Sequence, residues 1–187
     1  MRVLIAFDKF KDALSARDAC RVAAEALAES KPDWEIEAAP LADGGDGFCD
    51  TLTGTINGEF HSVQVTGPMG EKVTARFGIV SKICLQESAQ TLLGFQESTR
   101  DIAIIEMAEC SGIALTPIRG RSPWTTTTAG LGELINAAIQ HGAQGAIIGL
   151  GGSATHDLAL GALERLGVSF LDKNGDPISG SPIPDTW

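Results

Sequence analysis

The stretch RVLIAF at residues 2 to 7 is an apolar run closed by the charged turn DKFKD. Such a run predicts a strand buried on both faces, as in a parallel sheet. Beyond it, Ala19, Val22, Ala23, Ala26 and Leu27 recur at helical spacing. Ser15 and Asp18 have the spacing of a capping box, so a helix is expected from there until SKPD stops it. WEIEA then alternates as a second strand, and LADGGDG follows as a turn with enough glycine for its backbone to approach a ligand. The opening reads as a β-α-β unit.

The period changes after residue 58. FHSVQV and KVTARFGIV alternate and are joined by TGPMG, the pattern of an antiparallel hairpin with Val73, Ala75, Phe77 and Ile79 on one side. Residues 81 to 100 carry no clear period and read as a surface excursion. DIAIIEMA at 101 to 108 resumes the buried-strand pattern, and TPIRGRSP reads as a loop. TTTTAGLGELINAAIQHG opens on hydroxyl caps, places Leu131, Leu134, Ile135, Ala138 and Ile139 on one face and ends at Gly142, which predicts a helix. GAIIGLG is then a strand and GSATHD a turn. LALGALERL follows as a helix with the stripe Leu158, Ala159, Ala162, Leu163 and Leu166. VSFLDKNG is a strand ending in a turn, and a proline-rich tail runs to an exposed-looking Trp187.

These elements predict an α/β protein: a Rossmann-like parallel sheet with helices on both faces, interrupted by a second α/β region containing the hairpin. The corresponding divisions are a first segment at 1–57, an inserted region at 58–124 and a further α/β segment at 125–187. In open sheets of this kind ligands lie beyond the carboxyl ends of the strands. DKFKD, LADGGDG and GLGGSATHD all fall at such ends.

Composition narrows the functional classes. A net charge of −10, with Lys and Arg scattered, argues against nucleic-acid and anionic-lipid partners. An anionic small substrate would need locally placed cations or a metal ion. Cys20, Cys49, Cys84 and Cys110 form no C-x-x-C pair, so reduced, buried thiols are expected. No apolar stretch approaches the ~20 residues of a membrane span and no signal-peptide pattern is present, so a cytoplasmic location is expected.

Three turns carry candidate chemistry. In GLGGSATHD, converging backbone N–H groups with the Ser153 and Thr155 hydroxyls at a helix start suit a phosphate. The Walker pattern is absent. Gly149, Gly151 and Ala154 do fit G-x-G-x-x-A, and Asp172 lies at the end of the next strand like a ribose-binding acid, so an NAD-binding domain is a rival reading. In LADGGDG, Asp43 and Asp46 flank a glycine pair and could hold Mg²⁺ through oxygen ligands and water. In FDKFK, Asp8 is a candidate base or metal ligand, with Lys9 and Lys11 as partners for phosphate or carboxylate oxygens. Glu106, inside an otherwise apolar strand, is expected to be paired in the interior or to stand at the edge of a site.

VLIAFDKFKDALSA, LADGGDGFCDTL, VTGPMGEKVTARFGI, IIEMAECSGIAL, TTTTAGLGELINAAI and IIGLGGSATHD, in this order, resemble the bacterial glycerate kinases of the tartronate-pathway type. The resemblance covers nearly the whole chain. It implies phosphoryl transfer from ATP, with Mg²⁺, to a hydroxyl of D-glycerate, giving 2-phosphoglycerate in most bacterial members and 3-phosphoglycerate as the alternative. Carried over by position, it implies Asp8 and Lys11 in the first motif, Asp43, Gly44, Gly45 and Gly47 in the second, and Gly151, Gly152, Ser153, Thr155 and Asp157 in a phosphate cradle. Asp8 or Asp43 would be base or metal ligand, and Lys11 would meet substrate carboxylate or phosphate. Two departures stand out. LAL follows Asp157 where the family carries a glycine pair and a small residue, and the family's chains are about twice as long. This chain therefore reads as an N-terminal half, expected to be inactive alone and to self-associate through apolar surface left uncovered. A noncatalytic binding or assembly remnant of the same fold is the alternative.

Overall fold

The computed structural model describes residues 1–122 and 124–178. Trp187 and the tail from 179 onward lie outside the described residues.

The opening β-α-β unit forms as expected. β1 (Arg2–Ile5) runs parallel to β2 (Glu35–Ala38), and α1 (Ala16–Ser30) connects them. Ser15 caps α1 by accepting from the Asp18 N–H at 3.0 Å, while its hydroxyl donates to the Asp18 carboxylate at 2.7 Å. The expectation that β1 is buried on both faces fails. Ile5 is buried beside α1, but Leu4, on the opposite face by strand alternation, is 62% exposed.

The larger sheet has the order β3-β4-β5-β6, from β3 (Glu59–Thr66), β4 (Lys72–Ser81), β5 (Asp101–Glu106) and β6 (Gly145–Gly149). β3 and β4 are the expected hairpin, in the register Val65↔Val73, and β4 pairs antiparallel with β5. β5 and β6 are parallel, with Ile104 opposite Ile147. The sheet thus runs across the boundary expected at 124/125, and the parallel pairs are shared between two sheets rather than gathered into one. The reason is the alternation within β5. Ala103 and Ile105 face one layer while Ile102 and Ile104 face the other, so β5 needs cover on both sides.

That cover comes from helices on opposite faces. α5 (Ala129–Gln140) lays Leu131, Leu134 and Ala138 against Val65, Ala75, Phe77 and Ile105. α2 (Phe48–Thr55) sets Phe48 and Cys49 against Val80, Ile102 and Ile104. Ile139, expected on the buried face of α5, is exposed because it lies at the last turn. The region at 81–100 is more ordered than its pattern predicts. It contains α3 (Glu87–Leu93), a helix with no buried residue and hence no apolar stripe to read.

α4 (Ala108–Ser111) follows β5 directly. α6 (Leu160–Arg165) starts later than its pattern suggests, and it buries Leu160 and Ala162 rather than the stripe from Leu158 to Leu166. β7 (Phe170–Leu171) pairs antiparallel with β8 (Pro177–Ile178) in a separate small hairpin. Cys20, Cys49 and Cys110 are buried free thiols, as expected, whereas Cys84 is exposed. Among the described residues no helix is long and apolar enough to cross a membrane.

Candidate functional site

The two glycine-rich turns, one after β2 and one after β6, meet backbone to backbone. The Gly151 N–H donates to the Gly44 carbonyl at 2.8 Å. A Cβ on Gly151 would stand 2.7 Å from the Gly45 nitrogen and Cα, and one on Gly149 would stand 2.6 Å from the Gly44 oxygen. The close approach that these glycines permit is, first of all, to each other. Gly47 precedes α2 at φ +86°, a left-handed conformation suited to glycine.

A cavity of about 440 Å³ opens beside this junction, lined by Asp8, Lys9, Asp46, Arg17 and Arg21 among others. Lys9 Nζ lies 2.8 Å from Asp43 Oδ1 and 3.5 Å from Asp8 Oδ1. Asp43 Oδ1 also accepts from the Gly45 N–H at 2.9 Å. The hydrogen bond from Lys9, reinforced by the Gly45 N–H, holds the Asp43 carboxyl below the ordinary carboxylate range. The same bond raises the Lys9 ammonium above its usual value against an opposing desolvation.

Asp8, Asp43 and Asp46 are therefore neighbours of one region, as their motifs suggest. Lys11 is not. The tight turn in which the Phe10 carbonyl accepts from Ala13 and Leu14 leaves Lys11 exposed and outside the cavity. Lys9 takes the place beside the carboxylates.

The fit to Mg²⁺ rests on the donor set. Among the described residues no group of three or more His, Cys, Asp or Glu side chains is arranged to hold a metal ion. Asp8 and Asp46, however, line one cavity. Magnesium is commonly held by one or two carboxylates together with substrate phosphates and water. These residues fit that mode and not an all-protein cage.

On the other side of the junction, Ser153 and Thr155 share a hydroxyl–hydroxyl hydrogen bond of 3.0 Å, and the Thr155 N–H donates to Ser153 Oγ at 3.1 Å. Both line a cavity of about 310 Å³ shared with His156 and Leu150, and a second of about 250 Å³ shared with Arg121. Gly152, at φ +71°, faces Asp46 across the turns, with a built Cβ 3.0 Å from Asp46 Oδ1. Asp157 is placed differently. It is buried, and its Oδ2 accepts from the Thr128 N–H at 2.8 Å and the Thr128 hydroxyl at 2.9 Å. It buckles this turn to the start of α5.

Glu106 is paired in the interior, one of the two placements expected for it, and Arg76 was not anticipated. Glu106 accepts from the Gly47 N–H at 3.2 Å and the Cys49 N–H at 3.0 Å, so it caps α2 and holds the turn that carries Asp46. Burial pushes its carboxyl above the ordinary value, with these two N–H groups opposing that rise. The only sequence signal was an acid inside an apolar strand. Arg76 bridges Asp50 of α2 at 3.2 Å and Glu109 of α4 at 2.9 Å, a network that spacing does not reveal.

The dinucleotide reading is overturned by position. Asp172, the expected ribose acid, accepts from the backbone N–H groups of Asn174 and Asp176 and closes the β7–β8 hairpin. Among the described residues β7 pairs with β8 and not with the sheet of β6.

Fold and site together define an α/β protein with a central sheet flanked by helices and a cavity bearing several charged residues beside two packed glycine turns. A solved structure shares this fold: the putative glycerate kinase 2 from Salmonella typhimurium LT2 superposes with a TM-score of 0.74 at 36% identity, covering 96% of this chain and 43% of that one. The glycerate kinase family model matches residues 3–184, and the chain belongs to that family. Glycerate kinase of Bacillus subtilis is 39% identical over 95% of this chain and 42% of its own length. Glycerate 2-kinase of Escherichia coli is 37% identical, with the same coverage of 95% and 42%. The chain thus spans less than half the length of these relatives.

Proposed function

We propose that this chain supplies part of the active site of an ATP-dependent, Mg²⁺-requiring kinase that phosphorylates D-glycerate to 2-phosphoglycerate in the cytoplasm. The observation that carries this reading is the cavity that Asp8 lines together with Lys9, Arg17 and Arg21. An acceptor that is both an anion and an alcohol needs cations for its carboxylate and a base for its hydroxyl.

Asp8 is the base. It takes the hydroxyl proton as that oxygen attacks the γ-phosphorus, and the bond from the γ-phosphorus to the bridging oxygen of ADP breaks. Arg17 and Lys9 orient the glycerate carboxylate. Ser153 and Thr155 donate to phosphate oxygens. Bound Mg²⁺, held through Asp46, would offset the charge of the phosphates. Positioning and charge neutralisation are the main needs of such a transfer.

The test is a coupled ATP and D-glycerate assay together with thermal unfolding. The isolated chain is expected to be stabilised by D-glycerate and by Mg-ATP, and not by NAD, with no turnover on the scale of ~1–100 per second. Absence of any response to D-glycerate and Mg-ATP sinks the reading. A noncatalytic binding module is the second reading, favoured by the Leu158–Ala159 pair in the family's glycine positions, both at positive φ. It predicts binding without turnover even after the remaining polypeptide is restored.

A further inference from the structure

The cavity of about 250 Å³ on the Ser153 side of the junction differs in charge from the one lined by Asp8 and Asp46. Arg121 lines it with Thr116, Ser122, Ser153 and Thr155, and among the described residues no carboxylate does. In a chain of net charge −10 that is a local exception. Arg2, Arg21, Arg76 and Arg165 each pair with a carboxylate, whereas Arg121 pairs with none among the described residues. Its guanidinium is held by neutral groups instead. Nε donates to the Thr116 carbonyl at 3.2 Å and Nη2 to the Ile113 carbonyl at 3.3 Å. These bonds orient the fork without offsetting its charge, and the described residues leave most of its N–H donors unengaged. The Ile113 peptide is itself tied to the glycine turn, because its N–H donates to the Gly152 carbonyl at 2.8 Å. Gly112 and Ser153 form a β-bridge beside it. Arg121 and Ser153 are thus anchored to one piece of backbone.

We infer that Arg121 is the cation of a phosphate-binding pocket whose other donors are the Ser153 and Thr155 hydroxyls. The inference rests on the proposed reading only in taking those hydroxyls as donors to phosphate, and it adds the positive charge that they lack. A guanidinium brings a planar fork that meets phosphate oxygens in bidentate fashion, which a hydroxyl cannot do. Any neutral donor could cap the Thr116 and Ile113 carbonyls, so that task alone calls for no permanent charge. At about 250 Å³ the cavity falls below the ~300–1,000 Å³ that encloses a drug-sized ligand, so it suits the phosphate end of a ligand and not the whole of it.

The test titrates the intact chain with inorganic tripolyphosphate, which carries phosphate groups and no nucleoside, by calorimetry at fixed ionic strength. Arg121→Met should weaken binding by roughly tenfold to a hundredfold, the worth of a hydrogen bond to a charged group. Arg119→Met, at an exposed arginine of the same loop that does not line the cavity, should leave the affinity unchanged. A purely structural Arg121 would lower Tm on replacement and leave the affinity of the folded chain as it was. A second measurement covers a variant that fails to fold: phenylglyoxal modification of the parent chain, read by peptide mass spectrometry. Tripolyphosphate should slow modification several-fold at Arg121 and not at Arg119. No binding by the parent, equal affinity of parent and Arg121→Met, equal losses in both variants, or an unprotected Arg121 overturns the inference. D-glycerate separates it from the kinase reading. Tripolyphosphate bound through Arg121 with no response to D-glycerate keeps the pocket and counts against the glycerate acceptor, while a D-glycerate response with Arg121 indifferent does the reverse.

Discussion

Replacing Leu158 and Ala159 with glycine should stabilise the protein. Both residues adopt left-handed backbone, at φ 53° and φ 62°, immediately before α6. For L-residues this conformation costs about 1–2 kcal/mol each, because Cβ crowds the following carbonyl. Glycine removes that cost but adds about 0.5–1 kcal/mol of backbone entropy lost on folding. Neither side chain offsets the difference by burial, since Leu158 is 77% exposed and Ala159 is likewise at the surface. The net gain is about 0.5–1 kcal/mol per site and about 1–2 kcal/mol for the double variant. For a chain of this size that raises Tm by about 2–8 °C. Urea unfolding followed by circular dichroism provides the assay, with an unchanged m-value as the condition for comparing midpoints. Leu158→Asn serves as control, because asparagine tolerates the left-handed region and should recover part of the gain. A double glycine variant no more stable than the parent would refute the strain argument. So would a Leu158→Ala variant matching the glycine variant, since alanine keeps the Cβ that causes the strain.

Gly151→Ala should cost about 1–3 kcal/mol, because the added methyl meets the Gly45 backbone at 2.7 Å and a backbone cannot turn aside; urea midpoints read this directly. Glu106→Ala leaves the Gly47 and Cys49 N–H groups without their acceptor and should cost about 2–4 kcal/mol, seen as lost exchange protection at the start of α2. Lys9→Met should let the Asp43 carboxyl climb back toward its ordinary 3.8, followed by carbon NMR of the side chain. Because Asp43 is depressed in the folded chain, its contribution is present above that ordinary value and is lost as pH falls through the folded one. The variant should lack this acid-side loss.

Local pattern carried most of the elements. The hairpin was legible because Val73, Ala75, Phe77 and Ile79 alternate onto a single buried face, and α1 because Ser15 and Asp18 cap it. α3 was not legible, since it buries nothing and so leaves no stripe. Sheet membership was not legible either. β5 and β6 are separated by α4 and α5, and no local pattern states that they pair across the boundary expected at 124/125. In the site, residue type located the acids Asp8, Asp43 and Asp46, but the choice between Lys9 and Lys11 depended on a turn at Phe10 that reverses the chain. Glu106 was visible as an acid in an apolar strand, while its partners at Gly47 and Cys49 come from a distant turn.

Glycine was the most ambiguous signal, because the absence of Cβ serves approach to a ligand and approach to another chain segment equally well. Here the second use is the one the geometry displays, in the contact of Gly149 and Gly151 with Gly44 and Gly45. That contact has a consequence for chemistry. It fixes the turn bearing Ser153 and Thr155 against the turn bearing Asp43 and Asp46 by a backbone hydrogen bond and interlocked main chains, without relying on flexible side chains. A reaction that depends on holding two reactants in register gains most from such a rigid junction. On the proposed reading, phosphate-facing hydroxyls and acceptor-facing carboxylates stand on opposite sides of one seam, and the glycine contact sets the distance between them.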